Sequence, residues 1–152
     1  MKRNENILPL SREHHFGLLF CWKIRQGLSL NASPRRMKKY VQYYWNEHLQ
    51  KHFQEEENIL FITGDPYCEK AKQEHRRIEQ LISDINANDT DPELFRVLAI
   101  LVDDHIRYEE RELFPYLEKT IAAKQLTDVG AQLKQLHPEG PADDYEDAFW
   151  NR

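Results

Sequence analysis

The sequence predicts an all-α protein, an antiparallel up-down-up-down four-helix bundle followed by a short extra C-terminal helix. The 152-residue length suits one hydrophobic core. The composition favours helices, with 31% charged residues and five glycines. Apolar residues recur at helical spacing, and no segment alternates apolar and polar residues as a strand does. We therefore expect a single domain over residues 1–152.

Serine and proline residues mark the predicted helix starts. Ser11 is a candidate N-cap. Ser33 and Pro34 predict a second helix start, with serine as the N-cap and proline at the first helical position, and Asp91 and Pro92 predict another in the same way. Pro115 predicts an internal kink or break in the fourth helix. The four bundle helices are expected at about residues 12–28, 34–62, 66–85 and 92–120, so the bundle covers about 11–120. A fifth helix is expected at 127–136.

The C-terminal tail, residues 137–152, is acidic and carries Phe149 and Trp150 near its end. We assign it no secondary structure. It is a docking segment or a cover for the bundle.

Charge and cysteine content narrow the class of protein. A net charge of −5 argues against nucleic-acid binding, and the basic cluster at residues 35–39 is typical of a solvated helix face. No apolar run reaches the ~18–20 residues of a membrane span. Cys21 and Cys68 match no metal or redox motif and indicate free thiols in a reducing compartment. A cytoplasmic protein without nucleic-acid or membrane partners is expected.

One pattern occurs in both the second and the fourth predicted helices. His52 begins the pattern His-x3-Glu-Glu-x2-Leu-Phe, and His105 begins the same pattern 53 positions later. Each histidine lies four residues before a glutamate, so the two side chains differ by about 40° around the helix axis. Both pairs point with the apolar stripe, where an ionised glutamate costs roughly several kcal/mol unless it is paired or bound to metal.

The first and third helices each add one histidine, in the sequences Glu13-His14 and Glu74-His75. His75 lies on the apolar stripe of its helix. On the first helix, His14 lies about 50° from the centre of the stripe and His15 about 150° away. We therefore choose His14 over His15.

The candidate site contains one histidine per helix and two carboxylates. Imidazole and carboxylate ligands without thiolate suit iron, manganese or zinc. Six protein ligands, two of them able to bridge, favour a two-metal site. A metal-free network of His–Glu hydrogen bonds is the alternative. The predicted metal ligands are His14, His52, Glu56, His75, His105 and Glu109.

Further residues near the candidate ligands are expected to have lesser roles. His48 lies one turn before His52 and is expected to line a pocket rather than bind metal. Tyr44 and Tyr108 are core residues or suppliers of hydroxyls, and His137 has no identifiable partner. Three carboxylates are expected to face solvent: Glu55, Glu57 and Glu110.

These motifs resemble the hemerythrin-like, or HHE cation-binding, family over about residues 11–117. The resemblance implies a non-haem centre of two iron ions (Fe2+/Fe3+). Glu56 and Glu109 would bridge them together with an oxo or hydroxo group. His14, His52, His75 and His105 would be terminal ligands, and manganese or zinc could replace iron.

The pattern departs from that of oxygen-carrying hemerythrins at two positions. Glu79 stands where they have a second histidine of the third helix, and His105-x3-Glu109 replaces His-x4-Asp. One iron should then have fewer histidines or use Glu79. These changes favour binding or sensing of oxygen, nitric oxide or iron over reversible oxygen carriage. The alternatives are an oxidoreductase acting on peroxide, nitric oxide or ferrous iron, and a structural bundle.

Overall fold

The computed structural model describes residues 2–88, 90–137 and 144–152, and these form five helices without a strand. Three are regular: α1 (Leu8–Ser29), α3 (Pro66–Ala87) and α5 (Ala123–Leu136). Helix α2 runs without interruption through residues 34–60, and α4 through residues 92–120. The all-helical class is therefore confirmed.

Proline and aspartate fix the starts of three helices. Pro34, Pro66 and Pro92 each occupy the first helical position, where the missing N–H costs no hydrogen bond. Asp65 accepts a hydrogen bond from the Cys68 backbone N–H at 3.0 Å and so caps α3.

Two predicted helix starts are wrong. Helix α1 begins four residues before the predicted start, at Leu8, so Ser11 is no N-cap; its hydroxyl instead donates to Glu110 at 2.8 Å. Helix α5 begins at Ala123, four residues early. Pro115 does not break α4, which continues from the π-helical turn Glu109–Leu113 to Thr120.

Helices α2 and α4 contain wider, π-helical turns. Helix α2 has two, Trp45–Leu49 and Glu56–Leu60, and α4 has one, Glu109–Leu113. The last two begin at the glutamates of the repeated motif. Such turns shift the angular positions of the residues that follow, and they occur often at functional sites.

Helices α1 and α3 each contact both α2 and α4, so the four helices share one interior. Two apolar clusters fill it. One includes Phe20, Tyr40 and Phe95, and the other includes Leu10 and Phe114. On α1 and α3 the candidate histidine lies between the parts that form these two clusters, and on α2 and α4 the candidates lie at the boundary between them.

The tail and α5 cover the two apolar clusters. Phe149 is 2% exposed and packs into the first cluster, where a Cβ on Gly27 would lie 2.7 Å from its ring. Leu126 and Val129 of α5 belong to the second cluster. The described tail residues thus cover the bundle. Residues 138–143 lie outside the described residues, and none of the described helices is long and apolar enough to cross a membrane.

Candidate metal centre

The imidazole nitrogens of four histidines converge on two glutamates inside the bundle. His14 Nε2 lies 2.9 Å from Glu109 Oε1, and His105 Nε2 lies 3.3 Å from Glu109 Oε2. His75 Nε2 lies 3.0 Å from Glu56 Oε1, and His52 Nε2 lies 3.3 Å from Glu56 Oε2. Both glutamates are fully buried, and no histidine of the set is more than 5% exposed. The six residues predicted as ligands therefore lie together in the interior of the bundle.

These six residues form two overlapping groups of possible metal ligands. Each group offers four ligand atoms that lie within 4.8 Å of one another. The first half-site, His14 and His52, and the second half-site, His75 and His105, each combine with both Glu56 and Glu109. Two carboxylates shared between two pairs of imidazoles are compatible with metal binding.

Several atoms at the centre of the cluster are buried without a hydrogen-bond partner. They are His52 Nε2, both carboxylate oxygens of Glu56, and Glu109 Oε2. Buried polar atoms are normally satisfied, and an unpaired buried carboxylate oxygen is costly. A bound cation would satisfy all four. The donor set therefore fits the metal ions that the sequence pattern predicts.

A carboxylate outside the cluster accepts a hydrogen bond from the other nitrogen of each histidine. Nδ1 of His14 donates to Glu110 and Nδ1 of His75 donates to Glu57, both at 2.7 Å. A proton on Nδ1 leaves the Nε2 lone pair of a neutral imidazole directed inward. Such outer carboxylates hold metal-binding histidines in the required tautomer and orientation.

The remaining two histidines follow the same plan. Nδ1 of His105 donates to Glu74 at 2.7 Å, and Nδ1 of His52 donates to Glu13 at 3.2 Å. In each case the accepting glutamate directly precedes another histidine of the cluster, His75 or His14. The Glu-His pairs on α1 and α3 thus supply one inner and one outer group each.

The electrostatics of the cluster favour an ionised Glu109 beside protonated imidazoles. Burial alone lowers the pKa of the four histidines, but hydrogen bonds and charges from the glutamates outweigh it, so each pKa is raised. The pKa of His75 rises to about 10. Burial raises the pKa of Glu109, yet His105, His14 and His75 bring it well below its ordinary value. A cation that binds here must displace protons from the imidazoles.

Other residues weighed as ligands lie outside the cluster. His15 and Glu79 are exposed, so the use of Glu79 as a substitute ligand is wrong. Among the described residues, the second half-site has two histidines but no further histidine from α3, so it offers fewer histidines than the pattern of oxygen-carrying hemerythrins, as the sequence predicted. Tyr108 is buried, and its hydroxyl donates to the Tyr67 carbonyl at 2.8 Å.

The expectation that three neighbouring carboxylates face solvent is wrong. Glu57 and Glu110 accept hydrogen bonds from His75 and His14, and Glu55 lies 2.5 Å from His137. Glu57 and Glu110 remain 36% and 30% exposed, so they lie at the edge of the bundle and reach the outer nitrogens of His75 and His14 from there. The repeated Glu-Glu pair was the available sequence signal.

An apolar pocket leads to the cluster. Phe16, Gly17, Leu49 and Ile106 line it together with Val102 and Phe53. Its inner wall includes both histidines of the first half-site and His105 of the second. Tyr44 and His48 also line it, which places His48 beside the pocket and outside the ligand groups.

Fold and site together define a helical bundle with a buried histidine–glutamate cluster compatible with metal binding. The sequence model of the hemerythrin HHE cation binding domain matches residues 10–117, which is most of the chain. The protein belongs to this family. Comparison with curated proteins and with solved structures gave no match.

Proposed function

We propose that the protein binds two metal ions, in the first place iron, and uses the pair to bind or sense oxygen, nitric oxide or iron itself. The observation that supports this most is the pair of four-atom ligand groups that share Glu56 and Glu109. His14 and His52 would hold one ion, and His75 and His105 the other. A bound iron pair would supply the redox chemistry and the coordination positions for a small molecule.

The protein's own residues would prepare this site in two ways. The four outer carboxylates orient the imidazoles before a metal arrives, and they keep the remaining proton on Nδ1 once a cation displaces the proton on Nε2. The apolar pocket gives small uncharged molecules a route to the first half-site. Each ion would receive two nitrogens and two carboxylate groups, fewer ligands than octahedral iron accepts, so positions stay open for such a molecule.

We also infer the finer features of the fold. Contacts between α1 and α4 support an antiparallel pair, since Ser11 contacts Glu110 while Arg25 contacts Asp103. His75 contacts His105 between α3 and α4. Together with the short connections between helices, these contacts favour an up-down-up-down bundle and one domain over residues 1–152. The free thiols of Cys21 and Cys68 favour a cytoplasmic location.

Metal analysis of protein purified in air tests the proposal. We expect about two irons per chain and the near-ultraviolet absorption of an oxidised iron pair. Nitric oxide added to the reduced protein should give a stable spectral change. Rapid consumption of peroxide or nitric oxide would instead favour the oxidoreductase alternative.

Chelation supplies the control measurement. Removal of the metal should lower the melting temperature, because a cation bound to the folded state alone adds to its stability. A protein that contains no metal after growth with iron, and whose melting is unaffected by added iron and by chelator, would contradict the proposal.

A further inference from the structure

A second cluster of metal-binding side chains lies beside the first half-site. It consists of Glu13 on α1, Glu55 on α2 and His137, which directly follows α5. One ligand atom from each lies within 4.8 Å of the other two. His137 Nε2 is 2.5 Å from Glu55 Oε1 and 3.8 Å from Glu13 Oε1. Three separate helices thus bring these side chains together.

The side chains of this cluster are mostly buried but remain partly accessible to water. Its side chains are 14% to 18% exposed, whereas the inner glutamates are fully buried. Within the described part of the chain, the polar side-chain partners of Glu13 and Glu55 are histidines. The converging carboxylate oxygens of Glu13 and Glu55 offer negative charge to a divalent cation, and His137 adds an imidazole nitrogen.

We propose that Glu13, Glu55 and His137 form a separate mononuclear site for a divalent first-row transition-metal ion. Two carboxylates and one imidazole are ligand types that Zn2+, Mn2+ and Fe2+ accept. Water would complete the coordination from the exposed side. This site is additional to the two-metal centre proposed above and contains none of its ligands.

The outer site would be coupled to the inner one through Glu13. The Glu13 carboxylate accepts the hydrogen bond from His52 Nδ1 and also faces His137. A cation on Glu13 would weaken that hydrogen bond and make His52 a poorer metal ligand. By thermodynamic linkage, filling the inner site would weaken the outer one by the same factor. The equivalent carboxylate, Glu74, has Lys70 as its second partner instead.

The competing explanation is that the contact between His137 and Glu55 only holds the C-terminal end of α5 against α2. His137→Gln separates the two explanations, because a glutamine amide can still donate to Glu55 but is a poor metal ligand. Glu55→Gln is a second variant that removes a carboxylate ligand at a different helix. His15→Gln is the matched control, since His15 is an exposed histidine on the same helix as Glu13.

The experiment is equilibrium dialysis of the metal-free, full-length protein against Zn2+, with bound zinc counted by mass spectrometry of the element. We expect three zinc ions per chain in the unaltered protein and in His15→Gln. His137→Gln and Glu55→Gln should each bind two, with at least tenfold weaker binding at the lost site. Circular dichroism and melting in chelator should show that both variants fold.

The possible counts decide between the explanations. An unaltered protein that binds two ions, or a count of three that survives both substitutions, overturns the outer site. If His137→Gln does not fold, the count in Glu55→Gln decides. A protein that binds one zinc, lost in His137→Gln, would retain the outer site while contradicting the proposed two-metal function.

Discussion

The two half-sites share one plan of inner contacts. In each, one histidine comes from a Glu-His pair on α1 or α3, and the other from the repeated motif on α2 or α4. Each histidine donates a hydrogen bond to an outer carboxylate. Glu13 accepts from His52 in the first half-site, and Glu74 accepts from His105 in the second. The arrangement is what two related halves of a bundle produce.

The surroundings of the half-sites differ. Glu74 accepts at 2.7 Å and is paired with Lys70, whereas Glu13 accepts at 3.2 Å and faces Glu55 and His137. The apolar pocket contacts both histidines of the first half-site but only His105 of the second, among the described residues. A polar pocket lined by Lys70, Glu74 and His105 lies beside the second half-site, so the ligand geometry is duplicated while the polarity of the adjoining pocket and the outer charge differ. The first half-site is the expected place for a small molecule to bind.

The largest effect should come from a shared glutamate. Glu56→Gln removes a carboxylate that contacts both half-sites, so we expect iron to fall from about two ions per chain to none. The chain should also lose the stabilisation by metal, roughly 4 kcal/mol at a metal concentration of about 1,000 Kd. Elemental analysis and melting with added iron measure both.

Glu79→Gln is the control for this change, because Glu79 is an exposed glutamate that should leave the iron content unchanged. One ion retained in Glu56→Gln would mean that the half-sites bind metal independently, and the shared-carboxylate arrangement would be wrong.

Removal of one histidine from each half-site tests their equivalence. His52→Ala and His105→Ala should each lower iron content to one ion or fewer and reduce metal-linked stability by about 3 kcal/mol. His15→Ala should keep both ions, because His15 is exposed. If one of the two inner variants binds iron normally, only the other half-site holds metal. Elemental analysis beside thermal melting of all three variants distinguishes these outcomes.

The pH dependence of the metal-free protein probes the second half-site. The carboxylates raise the pKa of His75 from an ordinary 6.5 to about 10. The folded state then binds a proton more tightly than the unfolded chain does. This stabilisation is complete below pH 6.5 and is lost as the pH rises to about 10, so melting in chelator should move to lower temperature across that range.

His75→Gln should flatten this decline in the metal-free protein. A profile as steep as that of the unaltered chain would show that His75 does not hold its proton in this way. In the metal-loaded protein the sign reverses, because cations compete with protons and bind more tightly as the pH rises.

The outer carboxylates should have smaller effects, of unequal size. Glu74→Gln should weaken iron binding by about 10–100-fold, the usual cost of losing the hydrogen-bond partner of a metal-binding histidine. Glu13→Gln should cost less, because its hydrogen bond to His52 is longer. Competition with a chelator of known affinity measures both. Equal losses would contradict the claimed difference between the half-sites.

The sequence predicted the helical bundle and the convergence of the six inner residues because both depend on local helical geometry. His14 could be chosen over His15 from angles around one helix, and prolines marked three helix starts. Glu57 and Glu110 were expected to face solvent only, because their hydrogen bonds are to histidines on other helices, which a pattern within one helix does not show. His137 depends on how α5 packs against α1 and α2, a long-range contact that no local pattern encodes.

The smallest effect should come from closing the pocket. A Cβ on Gly17 would lie 2.6 Å from Ile106 Cδ1, so Gly17→Ala pushes this side chain into the space beside the first half-site. Alanine favours the helix by about 1 kcal/mol, and overpacking costs roughly 1–3 kcal/mol, so stability should change little. Iron content should stay at two ions, while nitric oxide binds the reduced protein more slowly in stopped-flow measurements.

Gly27→Ala is the matched control on the same helix. Its Cβ would lie 2.7 Å from Phe149, in the apolar cluster that the tail covers and away from the pocket. This variant should lose stability but bind nitric oxide at the unaltered rate. If both variants bind at that rate, the ligand reaches the metals by another route. Slowing in Gly17→Ala alone would show that nitric oxide reaches the metals through this pocket, which contacts His14, His52 and His105.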